Sequence, residues 1–231
     1  EFLQNDLILG KAVSDFEEQL AQYAGANYSI GVGNATDGME IFLEAIGINP
    51  GDEIIISSHT MLATASAIKV SGGIPVPVDI KHDDNLICPN AIEEAITENT
   101  VGIMPTQLNG RICDMDSIEK IAKKRGLFIV EDAAQALGSK YKGKHAGTFG
   151  LASDISFFPA KVLGCLGDAG GVLTNDEDLY DLINSKERNI PNGLKDVEEL
   201  RELTEYTDYK GNGYIDKDYY CGKEIPEFIG F

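Results

Sequence analysis

Lys161 stands between an apolar, strand-like stretch ending at Phe158 and the glycine-rich turn Gly164-Cys165-Leu166-Gly167-Asp168-Ala169-Gly170-Gly171. Once freed of its proton, an amine held there can form a Schiff base with an aldehyde. As a plain turn residue on the surface, the ordinary place for a lysine, it would carry no chemistry. Ser156, upstream of Lys161, offers a hydroxyl able to reach a phosphate on the same ligand. Earlier still, the hydrophobic run Leu127-Phe128-Ile129-Val130 ends in Glu131 and Asp132, ahead of the helix-forming Ala133-Ala134-Gln135-Ala136. A carboxylate at the end of a buried strand is costly without a cation or a strong donor. For Asp132 that donor could be a protonated pyridine nitrogen, or the N–H groups of a helix that it caps.

Two more stretches carry groups of this kind. Gly33-Asn34-Ala35-Thr36-Asp37-Gly38 opens a helix after a β-rich run. Unpaired N–H groups at such a helix start, joined by the Thr36 hydroxyl, suit a phosphate; a threonine or aspartate there can equally serve as a simple N-cap. Ser57-Ser58-His59-Thr60 follows Ile54-Ile55-Ile56, and the His59 ring can lie flat on a planar cofactor or be satisfied locally in its loop.

Short β-rich runs and amphipathic helical stretches alternate from about residue 12 to residue 190, which indicates an α/β layered sheet with right-handed crossovers. Strands are expected at 28–32, 53–57, 74–78, 101–105, 127–131, 153–158 and 170–174, and helices at 13–24, 36–47, 61–71, 90–97, 115–125 and 176–188. In the first helix Val13, Phe16, Leu20 and Tyr23 share one face, and Gly25 supplies a stop. Residues 1–190 read as one domain. Beyond Pro191 the alternation ends, and residues 191–231, with ten acidic against five basic side chains, read as a separate acidic tail. Asp208–Asp216 has the look of a calcium loop, but Lys210 stands where an oxygen ligand belongs and Tyr219 replaces the bidentate glutamate, so a polar turn is expected.

The net charge of -19 repels phosphate backbones and disfavours nucleic acid as a partner. Cys88, Cys113, Cys165 and Cys221 are widely spaced, without a CxxC pair or nearby histidines, which indicates neither a metal site nor a disulfide framework. Reduced thiols and the absence of a long apolar run predict a soluble, cytoplasmic protein that makes no use of a membrane. The chain begins without methionine, as expected of a processed protein or a segment of a longer one.

Taken together and in order, Gly33–Gly38, Gly51-Asp52-Glu53-Ile54-Ile55, Ser58-His59-Thr60, Glu131–Ala136 and Ser156–Lys161 through Gly167–Gly171 resemble the successive motifs of the DegT/DnrJ/EryC1/StrS family. The resemblance covers roughly residues 5–190. It implies a three-layer α/β sandwich with a mainly parallel sheet, the large domain of the aspartate-aminotransferase-like fold (fold type I). It also implies pyridoxal 5'-phosphate as cofactor. Lys161 would form the Schiff base, Asp132 would face the pyridine nitrogen, and Gln135 would lie near the phenolic oxygen. His59 would take the ring-stacking place, while Ala35, Thr36 and Ser156 would hold the phosphate. The implied activity moves an amine from an amino acid, commonly glutamate, to a nucleotide-diphosphate keto-sugar, making amino sugars for surface polysaccharides or secondary metabolites. Lysine rather than histidine at 161 favours transamination over dehydration. The implied assembly is a homodimer.

Two departures from the family pattern stand out. Where many relatives carry Pro-Val-His, this chain reads Pro105-Thr106-Gln107-Leu108-Asn109-Gly110. Relatives also continue into a small carboxyl-terminal domain, which residues 191–231 do not match. The alternative expectation is therefore a truncated, catalytically impaired member that serves as an inactive subunit or interaction protein.

Overall fold

Three successive isoleucines of strand β2 (Glu53–Ser57) go to different layers: Ile54 and Ile56 join one hydrophobic cluster and Ile55 another. Side chains alternate along a strand, so a run that is apolar at every position must be covered on both faces. The protein is described here from a computed structural model, over residues 10–187. The tail from residue 191, including the calcium-like turn, lies outside the described residues.

The main sheet has seven strands: β1 (Tyr28–Val32), β2, β3 (Ile74–Val78), β4 (Thr100–Met104), β5 (Phe128–Asp132), β8 (Ala152–Ser156) and β9 (Gly170–Thr174). Their spatial order is β1-β9-β8-β5-β4-β2-β3. The sheet is mainly parallel, and β9 alone runs against its two neighbours. Between β5 and β8 lies a small hairpin, β6 (Lys140–Tyr141) and β7 (Lys144–His145), that the hydrophobic pattern does not announce. Its turn places Lys142 and Gly143 at φ 51° and 87°, the left-handed pair that a two-residue hairpin requires.

Six helices accompany the described strands: α1 (Lys11–Ala24), α2 (Ala35–Ile46), α3 (Leu62–Val70), α4 (Pro89–Ala95), α5 (Met115–Arg125) and α6 (Glu177–Glu187). One face of the sheet is covered by Met39, Phe42 and Leu43 of α2, Ala67 and Ile68 of α3, and Leu179 and Ile183 of α6. The other carries Ile92 of α4 and Met115, Ile118 and Ile121 of α5, with Leu20 and Ala24 of α1 over β8 and β9. Element boundaries differ from the sequence reading by one or two residues at most ends, and Gly25 caps α1 in the left-handed conformation at φ 71°.

Helix α1 departs from the expected face. Its buried residues are Glu17, Leu20, Ala21 and Ala24, while Phe16 and Tyr23 are exposed. The reason is polar: Glu17 Oε1 accepts the N–H of Gly31 at 2.7 Å, so the helix turns its glutamate toward the edge strand β1.

Candidate active site at the carboxyl ends of the strands

The parallel strands β1, β2, β5 and β8 all end at the same edge of the sheet, the edge where ligands bind in open α/β folds. The loops leaving them enclose a cleft of about 560 Å³. Ala35, Thr36, Asp132, Gln135, Ser156 and Lys161 line it, although they lie far apart in the chain.

At one side, α2 begins. Asn34 is the N-cap, its Oδ1 accepting Asp37 N–H at 2.9 Å and its Nδ2 donating to Asp37 Oδ2 at 2.8 Å. The cap therefore belongs to Asn34 rather than to Thr36 or Asp37. Ala35 and Thr36 occupy the first turn, where N–H groups have no intrahelical acceptor and can bind an anion. Gly170 packs directly behind them: a Cβ there would lie 2.5 Å from the Asn34 carbonyl carbon and 2.7 Å from Ala35 N. Ser156 is buried, and its Oγ accepts Phe158 N–H at 3.3 Å, which leaves the hydroxyl hydrogen available to a ligand.

Asp132 forms part of the cleft wall near the middle of the sheet. Its Oδ2 accepts from Thr64 Oγ1 at 2.6 Å, and its Oδ1 accepts Ala134 N–H at 3.3 Å. The neighbouring Glu131 has a different task, because consecutive strand residues face opposite sides. It is fully buried and accepts Phe149 N–H at 2.6 Å, Gly147 N–H at 2.9 Å, Gly150 N–H at 3.2 Å and Gln107 Nε2–H at 2.7 Å. Burial pushes its carboxyl above the usual range, and these four donors pull the other way. Gln107 thus has a structural use: it spends its amide nitrogen on Glu131 and its oxygen on Cys113 N–H at 2.8 Å.

Gln135 is held by the same segment, a few residues on. Its Oε1 accepts Asn109 N–H at 2.9 Å, and Asn109 has a left-handed φ of 55°. Since only oxygen can accept that bond, the Gln135 amide nitrogen remains as its free donor. Lys161 follows β8 in the loop before β9, half-buried, with its backbone N–H bonded to Phe158 O at 2.8 Å.

His59 is the site residue that the fold does not bring in. It is exposed and absent from the cleft lining, and its backbone is tied to Ser57 Oγ. Met61, two positions on, lines the cleft instead, together with Thr106 and Phe158. A clue to Met61 was present in the sequence, an apolar residue placed directly after Thr60 at a helix start. Nothing local marks Thr106.

A family model for the DegT/DnrJ/EryC1/StrS aminotransferase family matches residues 1–195. The chain belongs to this family. A relative from Pseudomonas aeruginosa, named UDP-2-acetamido-2-deoxy-3-oxo-D-glucuronate aminotransferase, is 43% identical over 172 residues, covering 74% of this chain and 48% of that protein. A pleiotropic regulatory protein from Geobacillus stearothermophilus is 46% identical over 172 residues, covering 74% of this chain and 46% of its own length. Among solved structures, NtdA from Bacillus subtilis with bound cofactor PMP superposes with a TM-score of 0.73 at 37% identity, over 79% of this chain and 42% of that one. The chain thus spans about half the length of the curated relatives it matches.

The family uses pyridoxal phosphate, and the residues present fit that group. An amine, a carboxylate and an anion cradle line a single cleft. Behind the cradle, Gly170 lets the backbone approach more closely than any side chain would allow. Among the described residues, no cluster of metal-ligating side chains occurs, and no helix is long and apolar enough to cross a membrane. Of the cysteines in the described region, Cys88, Cys113 and Cys165 are free thiols.

Proposed function

We propose that this chain forms the cofactor-binding part of an aminotransferase that passes an amine from glutamate to a nucleotide-linked keto-sugar. The observation that carries the reading is the shared cleft of Lys161, Asp132, Gln135, Ser156 and the first turn of α2 in a member of this family. Pyridoxal phosphate, when bound, supplies an aldehyde for an amine and a ring that takes up electrons as a proton leaves the substrate carbon. Lys161 supplies the amine and then moves that proton between carbons. Asp132 holds the proton on the ring nitrogen. Ala35, Thr36 and Ser156 donate to the phosphate, and Gln135 donates through its free amide nitrogen.

In this reading residues 1–190 are the large domain and residues 191–231 a separate tail. The enzyme works in the cytoplasm as a homodimer, which accounts for the exposed apolar residues around the site: Met61, Leu62, Phe158, Val162, Leu163 and Leu166. Such a patch beside a polar cleft marks an interaction surface.

The test is spectroscopic. Mixed with pyridoxal phosphate, the chain should develop a visible absorption band that Lys161→Ala abolishes; an unchanged spectrum in that variant refutes the assignment. Glutamate should then bleach the band as the cofactor takes the amine. The relative named as a regulatory protein favours a second reading, in which the chain binds cofactor without turning over, and a band that glutamate leaves intact would support it.

A further inference from the structure

Three threonine hydroxyls from two segments of the chain meet at Asp132. Thr64 Oγ1 lies 2.6 Å from Asp132 Oδ2, Thr60 Oγ1 lies 2.7 Å from Thr64 Oγ1, and Thr106 Oγ1 lies 2.8 Å from Thr60 Oγ1. The direct approaches of Thr60 and Thr106 to Oδ2 are both 3.4 Å. Each hydroxyl has one hydrogen to give, and a carboxylate only accepts. The shortest contact therefore uses the Thr64 hydrogen on Asp132. The Thr64 oxygen must then accept from Thr60, and the Thr60 oxygen from Thr106.

We infer that Thr106, Thr60 and Thr64 form a one-way hydroxyl chain that ends on Oδ2 of Asp132, orients this carboxylate, and leaves the second lone pair of Oδ1, beside its bond from Ala134 N–H, for a cationic ring N–H in the cleft. Such chains polarise each link in turn, so the last bond to the carboxylate is stronger than an isolated one. The backbone keeps both ends in place. Thr106 bridges Asp132 in parallel, Asp132 N–H donates to Pro105 O at 3.1 Å, and Gln107 N–H donates to Asp132 O at 2.9 Å. Thr64 is fully buried, while Thr106 lines the cleft with its hydrogen already committed and only an acceptor to offer there. Thr106 is thus a positioning residue, acting on the cofactor through Thr60, Thr64 and Asp132. Valine has the same shape but cannot start the chain.

The effect on cofactor rests on the proposed function; the hydroxyl order does not, so two measurements separate them. In the 231-residue chain without cofactor, Thr106→Val and Thr64→Val should each lower the unfolding temperature by roughly 2–4 °C. The double variant should lose clearly less than both losses combined, since removing the last link already strands the first. Additive losses would overturn the chain. With pyridoxal phosphate titrated by absorbance, Thr106→Val should weaken binding about fivefold, and Thr106→Ser should restore it. Equal affinity in the valine and serine variants would overturn the positioning role. Failure of the unsubstituted chain to take up the cofactor would instead count against the proposed function, leaving the unfolding comparison to decide the hydroxyl order.

Discussion

Asp154 of β8 is the register partner of Asp132 on β5, and neither of its carboxyl oxygens has a hydrogen-bond partner. Paired residues of neighbouring strands point to the same face, so the two acids lie side by side, and a Cβ added at Gly38 of α2 would lie 3.7 Å from Asp154 Cβ. Burial first, and the Asp132 charge second, push the Asp154 carboxyl well above its ordinary value; Glu131 adds to this and Lys161 opposes it.

The contribution of Asp154 to stability should therefore fall as pH rises. An acid whose value is raised in the folded state binds its proton there while the unfolded chain has lost it. Its contribution is complete below about pH 4, the ordinary carboxylate value, and is lost as pH climbs toward the folded one. Asp154→Asn keeps the shape without the acid. Its unfolding free energy should match the parent near pH 3.5 and exceed it at pH 8, with the gap opening by on the order of 1 kcal/mol per pH unit between. Parallel profiles for the two proteins would show that Asp154 is not the group concerned.

Met61, and not His59, stands where a cofactor ring would meet the start of α3. Met61 lines the cleft and His59 does not. Met61→Ala should weaken pyridoxal phosphate binding several-fold through the loss of about 1 kcal/mol of contact, while His59→Ala should leave it unchanged. Fluorescence titration of both variants checks this, and the reverse result would restore His59 to the site.

Gly170 should tolerate no side chain. A methyl group there meets the backbone of Asn34 and Ala35, which cannot rotate away. Gly170→Ala should cost about 1–3 kcal/mol of stability and should displace the α2 start enough to weaken phosphate binding. Chemical denaturation gives the first quantity, and competition by inorganic phosphate for the cofactor site gives the second.

Cys113 should be inert while the protein is folded. Burial pushes its thiol up to about 12, far from the reactive thiolate range. Iodoacetamide at pH 8 followed by mass spectrometry should find Cys113 unlabelled in the native protein and labelled in denaturant. The partly exposed Cys88 and Cys165 should label without denaturant.

Much of the architecture and part of the site could be read along the chain, because local signals carry them. The unbroken Ile54-Ile55-Ile56 run implies a strand covered on both faces, and Gly25 ends α1 where a left-handed residue is needed. Lys161, Ser156, Asp132, Gln135, Ala35 and Thr36 belong to motifs at strand ends, and strand ends of a parallel sheet converge by topology. The tertiary structure decided what depends on neighbours distant in sequence. It separated Glu131 from Asp132 onto opposite faces, turned Glu17 inward to serve an edge strand, and replaced His59 with Met61 in the cleft. It also brought Thr106 to Thr60 and Asp154 to Asp132. Periodicity states which face a side chain occupies within its own element; which strands lie side by side, and in what register, follows only from packing the whole sheet.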